Sequence, residues 1–133
     1  IRIKRLRGKF DRVLVDAPCS GLGTIRRNPD LKWKHDLDTI FEMQKKQLNI
    51  LTAASKLTKL GGRLIYATCS FMPEENEDVV NSFVKDNSGF KIVSIQPILD
   101  KYDIAVSTGD FFKTKFDEHD MDGFFAAVLE RVN

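Results

Sequence analysis

Two cysteines carry the chemistry-bearing pattern of this 133-residue sequence. Cys19 stands in Ala17-Pro18-Cys19-Ser20-Gly21-Leu22-Gly23, and Cys69 in Thr68-Cys69-Ser70. Each follows an apolar run, sits in a small-residue turn and is followed by Ser. A lone cysteine after a buried strand is most often a packing residue. Two at corresponding strand ends point instead to nucleophilic thiols, because a thiolate in such a loop, near the amino end of a helix, has a lowered pKa. Metal binding competes and fails on ligand count: two thiols and the distant His35 and His119 lack CxxC or HxxxH spacing. A Cys–His hydrolase also competes, but His119 lies in the acidic stretch Asp117-Glu118-His119-Asp120, which reads as surface. A single bridge is too few for a secreted disulfide scaffold, so the cysteines read as reduced thiols in a cytoplasm.

The elements around the thiols follow from periodicity. Phe10–Asp16 has a Val13-Leu14-Val15 core that suits a strand buried on both faces. From Leu37 to Leu60 the spacing is helical, with Ile40, Met43, Ile50, Ala54 and Leu57 on one stripe and Gly61-Gly62 as the stop. Arg63–Ala67 reads as a second buried strand. Pro73 with Glu74 and Glu75 makes a helix start, with acids at the positive dipole end, and Val79, Val80, Phe83 and Val84 give that helix its apolar face. Phe90–Ile95 alternates like a third strand, residues 97–121 form a loop-rich excursion, and Gly123–Leu129 is a last apolar strand. Strands alternating with helices predict an α/β layered domain with a largely parallel sheet. Ligands of such sheets sit beyond the carboxyl ends of the strands. Asp16–Cys19 and Thr68–Ser70 both fall there, so neighbouring strands would bring the thiols to one rim.

Composition narrows the class. The apolar fraction of 42% and charged fraction of 30% suit a globular protein and exclude a collagen, coiled coil or disordered tail. No apolar run approaches the roughly 18–20 residues that span a bilayer, and the basic N-terminus indicates no secretion signal. The net charge of +2 hides a polarity: residues 1–63 hold 15 Lys and Arg against 6 Asp and Glu, and residues 64–133 hold 6 against 13. One half can face a polyanion. Ile1–Lys9, where Arg2, Lys4, Arg5, Arg7 and Lys9 alternate with apolar residues, reads as a frayed edge strand or a linker from something upstream.

Asp16-Ala17-Pro18-Cys19-Ser20-Gly21, with Gly23 and then Arg26-Arg27-Asn28-Pro29-Asp30, resembles the fourth signature motif of RNA cytosine-5 methyltransferases of the Sun family. Thr68-Cys69-Ser70 with Pro73-Glu74-Glu75-Asn76 resembles the sixth, and Asp122-Gly123-Phe124-Phe125 its closing strand. Ile25–Trp33 is most similar to the bacterial 16S ribosomal RNA members. The resemblance implies a Rossmann-like, S-adenosylmethionine-dependent fold with a mostly parallel sheet and an antiparallel last strand. It implies that Cys69 attacks carbon-6 of a cytosine and that Cys19 assists release of the methylated RNA. Asp16 would hold the base and face the cofactor, with Pro18 shaping that wall of the site. Arg26, Arg27, Lys32 and Lys34 suit phosphate contacts, and Trp33 suits stacking on an unpaired base. The target nucleotide has to leave its stack for a thiolate to reach it.

One departure from the family pattern stands out. No GxGxxG occurs among the eight glycines, and no acid follows a second strand of the cofactor half. Residues 1–133 therefore read as the C-terminal part of a methyltransferase catalytic domain whose cofactor-binding half is absent. The implied function is carbon-5 methylation of cytosine in RNA, ribosomal RNA above all, in the cytoplasm, with neither metal nor membrane. The isolated segment is expected to be inactive and prone to self-association. The competing readings are a non-catalytic RNA-binding or scaffold module and a thiol-dependent hydrolase.

Overall fold

The computed structural model describes residues 2–22, 36–104, 109–114 and 122–133. In chain order they form α1 (Arg2–Leu6), β1 (Phe10–Asp16), α2 (Leu37–Ser55), β2 (Thr58–Thr68), a 3-10 turn (Pro73–Glu75), α3 (Glu77–Asp86), β3 (Phe90–Val93), α4 (Gln96–Lys101), β4 (Phe112–Thr114) and β5 (Phe124–Arg131). The sheet order is β1-β2-β5-β3, and β4 pairs with the first residues of β5. β1 and β2 run parallel, whereas β5 is antiparallel to β2, β3 and β4. The α/β sheet with an antiparallel last strand is thus the expected one.

One face of the sheet holds the main core. Val13 and Val15 of β1, Leu64 and Tyr66 of β2, and Phe125, Ala127 and Leu129 of β5 pack under Leu51 of α2 and Val79, Val80 and Phe83 of α3. Tyr66 meets Phe125 edge-on at 6.3 Å between ring centroids, a favourable aromatic geometry. The opposite face is covered only in part: Ile95 and Leu99, at and within α4, pack on Val128 beside Ile65 and Val93. That cover stops short of β1, where Leu14 is 66% exposed. β1 is therefore buried on one face and not on both, because a continuous apolar run does not reveal how far the second layer extends.

Three further boundaries differ from expectation. α2 ends at Ser55, not Leu60, and the N–H groups of Lys56 and Leu57 close its last turn on Ala53 and Ala54 carbonyls. Gly61-Gly62 lies inside β2 and serves the sheet. Gly61 has φ +79°, and a Cβ at Gly62 would stand 2.9 Å from the Lys59 carbonyl oxygen and 3.0 Å from that of Asp11. The β1–β2 register shifts between Phe10 and Arg12, so the glycines form a bulge where two backbones come close. The basic N-terminal stretch forms α1, not an edge strand. Its exit is tied to the end of α2 by Gly8 N–H to the Lys56 carbonyl at 2.8 Å.

Candidate active site

The site grows out of the parallel pairing of β1 and β2. Asp16 lies opposite Ala67, and Ala17 N–H adds one more bond to the Ala67 carbonyl at 2.9 Å before both chains leave the sheet. Gly21, at φ +76°, turns the first loop in the left-handed region open to glycine. A few residues beyond the ladder, Cys19 and Cys69 come together with their sulfurs 3.1 Å apart. Both are free thiols and both are half-buried. The convergence expected from strand order is present.

Burial pushes the Cys19 thiol up to about 12, helped by its hydrogen bond with Cys69, while backbone N–H groups of Cys69 and Gly21 pull the other way. This corrects the expectation of a lowered value at Cys19: the residue sits against packed loops, and desolvation outweighs the local dipoles. Either sulfur can donate in the Cys19–Cys69 contact.

Glu75 joins the two loops. Its side chain is fully buried, and its Oε1 accepts Ser20 N–H at 2.7 Å and Gln47 Nε2 at 3.3 Å. Its Oε2 accepts the Ser20 hydroxyl at 2.7 Å and the Ser70 hydroxyl. The Tyr66 hydroxyl donates to the Glu75 carbonyl at 2.6 Å, and burial together with Glu75 holds that hydroxyl above its ordinary pKa, so it remains a donor. Asn76 completes the clamp, giving Nδ2 to the Ser70 carbonyl at 2.8 Å and accepting the Thr68 hydroxyl. Sequence reasoning placed Glu75 at a helix dipole and did not single out Gln47. The findable signal was Gln47, a polar residue between Ile40 and Leu51 on the buried side of α2.

Asp16 and Pro18 are exposed on the same rim, and the Pro18 carbonyl accepts Gln47 Nε2 at 2.9 Å. Arg26, Arg27, Lys32, Lys34 and Trp33, with His35 and His119, lie outside the described residues. Among the described residues no three His, Cys, Asp or Glu side chains gather as a metal site, and no helix is long and apolar enough to cross a membrane. A cavity of about 80 Å³ borders the second thiol loop at Ser70, Phe71 and Asn76. A larger one of about 360 Å³, lined by Arg7, Lys56, Gly89 and Arg131, lies at the other end of the strands, remote from the thiols.

This sheet order, with loops converging at the carboxyl ends of parallel strands, defines the Rossmann-like methyltransferases, and solved methyltransferases superpose on it. The chain belongs to the 16S rRNA methyltransferase RsmB/F family, which it matches over residues 2–130. It is 39% identical over 126 residues to ribosomal RNA small subunit methyltransferase B of Shewanella oneidensis, covering 91% of this chain and 27% of that protein. The chain thus spans little more than a quarter of the length of that relative. A methyltransferase homologue from Pyrococcus horikoshii aligns with TM-score 0.73 and 31% identity over 98% of this chain and 42% of its own. NSun6 from Pyrococcus horikoshii, solved with SFG, aligns with TM-score 0.75 and 26% identity over 100% of this chain and 34% of its own.

Proposed function

We propose that the chain is the thiol-bearing, C-terminal part of a methyltransferase domain that methylates carbon-5 of a cytosine in 16S ribosomal RNA, in the cytoplasm. The observation that carries this reading is the thiol pair, 3.1 Å apart at the ends of parallel strands. Carbon-5 of cytosine is a poor nucleophile. Addition of the Cys69 thiolate to carbon-6 breaks the ring's conjugation and gives carbon-5 enamine character. Carbon-5 is then methylated, and a base takes its proton. The electron pair left behind restores the carbon-5–carbon-6 double bond and expels the Cys69 thiolate. Cys19, with its sulfur 3.1 Å from that of Cys69, is within reach to donate an S–H hydrogen bond to a thiolate there, and it assists release. Asp16 holds the base, and Arg26, Arg27, Lys32 and Trp33 grip the surrounding RNA.

S-adenosylmethionine, whose analogue SFG accompanies one solved relative, supplies the methyl group when bound. The residues here fit one wall of such a site only: Asp16 and Pro18 stand exposed at the strand end, and the sequence has no glycine-rich turn to cradle the rest. Calorimetric titration of the 133-residue protein with S-adenosylmethionine is expected to show no micromolar isotherm. A clear micromolar isotherm would overturn the half-site reading. Activity is tested in a chimera in which these residues replace the matching segment of the Shewanella oneidensis relative. Labelled methyl groups should appear in 16S ribosomal RNA as 5-methylcytidine on nucleoside digestion; a different methylated nucleoside would refute the cytosine assignment.

Among the described residues β1 ends the sheet, and Leu14 of β1 and Leu60 of β2 are 66% and 61% exposed. An unpaired edge with apolar side chains templates pairing with another chain, and burial contributes roughly 25 cal/mol per Å² against screened surface repulsion. Light scattering at hundreds of micromolar should show dimers or larger species. A strict monomer at that concentration would contradict this.

A further inference from the structure

We infer that Glu75 is the positioning residue of the thiol pair: its buried carboxylate fixes the separation of the two loops so that both sulfurs address one base. This inference rests on the thiol chemistry proposed above and assigns a role to a side chain that does not touch the base. Ser20 and Ser70 directly follow the two cysteines, and both are pinned to the same carboxylate.

The match between group and task is chemical. Four donors converge on Glu75: one backbone N–H, two hydroxyls and one amide. An ionised carboxylate is acceptor-only, with about four lone-pair sites on two oxygens, which takes all four. Gln at this position would keep one accepting oxygen and turn an NH2 toward two hydroxyls that now donate. The hydroxyls would have to reverse, although the Ser20 Oγ already accepts Leu22 N–H at 3.3 Å and the Ser70 Oγ accepts Met72 N–H at 3.0 Å.

The backbone of Glu75 is held independently of its side chain, by its N–H on the Met72 carbonyl at 3.0 Å and by Tyr66 on its own carbonyl. Asn76 ties the same turn to the Cys69 loop. The turn and the Cys69 loop therefore stay together without the carboxylate. What the carboxylate adds, with Gln47 beside it, is the link across to the Cys19 loop. Loss of that link should change the sulfur–sulfur geometry while leaving the sheet and the core intact.

Diamide tests this on the 133-residue protein without RNA or methyl donor. Its N=N bond takes two electrons and two protons from Cys19 and Cys69, giving a hydrazine and one intramolecular disulfide. The rate is read from the loss of two hydrogens in intact mass under denaturing quench. In an oriented reaction a misplacement of about 1 Å costs about 10²-fold, which sets the scale of the effect. Glu75→Gln should slow disulfide closure by about tenfold or more while circular dichroism keeps the folded spectrum. Gly62→Ala, which strains the β1–β2 bulge instead, should lower the melting temperature and leave the closure rate unchanged. If Glu75→Gln does not fold, the double variant Ser20→Ala/Ser70→Ala, which removes both hydroxyls from Oε2, should show the same slowing. Closure at the unaltered rate in a folded Glu75→Gln or double variant would overturn the inference.

In the chimera, Glu75→Gln should lower kcat with the KM for S-adenosylmethionine unchanged. A rise in KM with kcat intact would contradict a positioning role. Slowed disulfide closure in a chimera that makes no 5-methylcytidine would sink the proposed function and leave the thiol-positioning role standing.

Discussion

In the chimera with the Shewanella oneidensis relative, Cys69→Ala should abolish both 5-methylcytidine formation and covalent attachment to RNA, with a loss of about 10⁴-fold or more, the scale of removing a covalent nucleophile. Cys19→Ala should behave differently. It leaves the attacking sulfur in place, so a protein–RNA adduct accumulates while product release slows. The asymmetry follows from the roles that the family resemblance implies, Cys69 as the attacking sulfur and Cys19 as the group that assists release, with the two sulfurs 3.1 Å apart. Denaturing gels of each variant with unmodified 16S ribosomal RNA read both effects together. Turnover by Cys69→Ala would show that the roles are assigned to the wrong residues.

The second large effect concerns pH. With its thiol at about 12 against an ordinary 9.0, Cys19 is about one part in 10³ thiolate at pH 9, where an ordinary cysteine is half ionised. Iodoacetamide should therefore alkylate the Cys19 peptide about 500-fold more slowly in the folded protein than in guanidinium at that pH. The rate should keep climbing through pH 11. A plateau near pH 9 would contradict the raised value, and it separates a true ionisation effect from simple shielding of the sulfur. The sign for stability follows. The folded value lies above the unfolded one, so the contribution is whole below pH 9 and is lost as pH rises toward 12, where the unfolded chain ionises first.

Much of the site was legible because parallel neighbours share a carboxyl rim: Val13–Val15 and Arg63–Ala67 needed only to be adjacent for Cys19 and Cys69 to meet. Other features depended on contacts that no local pattern encodes. Gly61-Gly62 has the composition of a helix stop, yet its role is set by how closely the Phe10–Asp11 backbone passes. An acid after Pro73 suits a helix dipole, and the donors that make Glu75 a buried acceptor include Ser20 and Gln47, 55 and 28 residues earlier. Leu14 looked like core because an apolar triplet reports hydrophobicity and not the reach of the covering layer. Gln47 stands out as a polar residue on the apolar stripe of its helix, but its partners, the Pro18 carbonyl and the Glu75 carboxylate, lie on other elements that the stripe does not name.

The central claim is that Cys69 forms a covalent bond to carbon-6 of a cytosine during methyl transfer. Its most direct test is 16S ribosomal RNA transcribed with 5-fluorocytidine, incubated with the chimera and S-adenosylmethionine. After methyl transfer, fluorine at carbon-5 cannot leave as a proton would, so the adduct is trapped. A denaturant-stable protein–RNA species should form, depend on S-adenosylmethionine, and yield on digestion a nucleotide-modified peptide containing Cys69. The absence of that species, or a trapped nucleotide on Cys19 or on any other residue, would contradict the account.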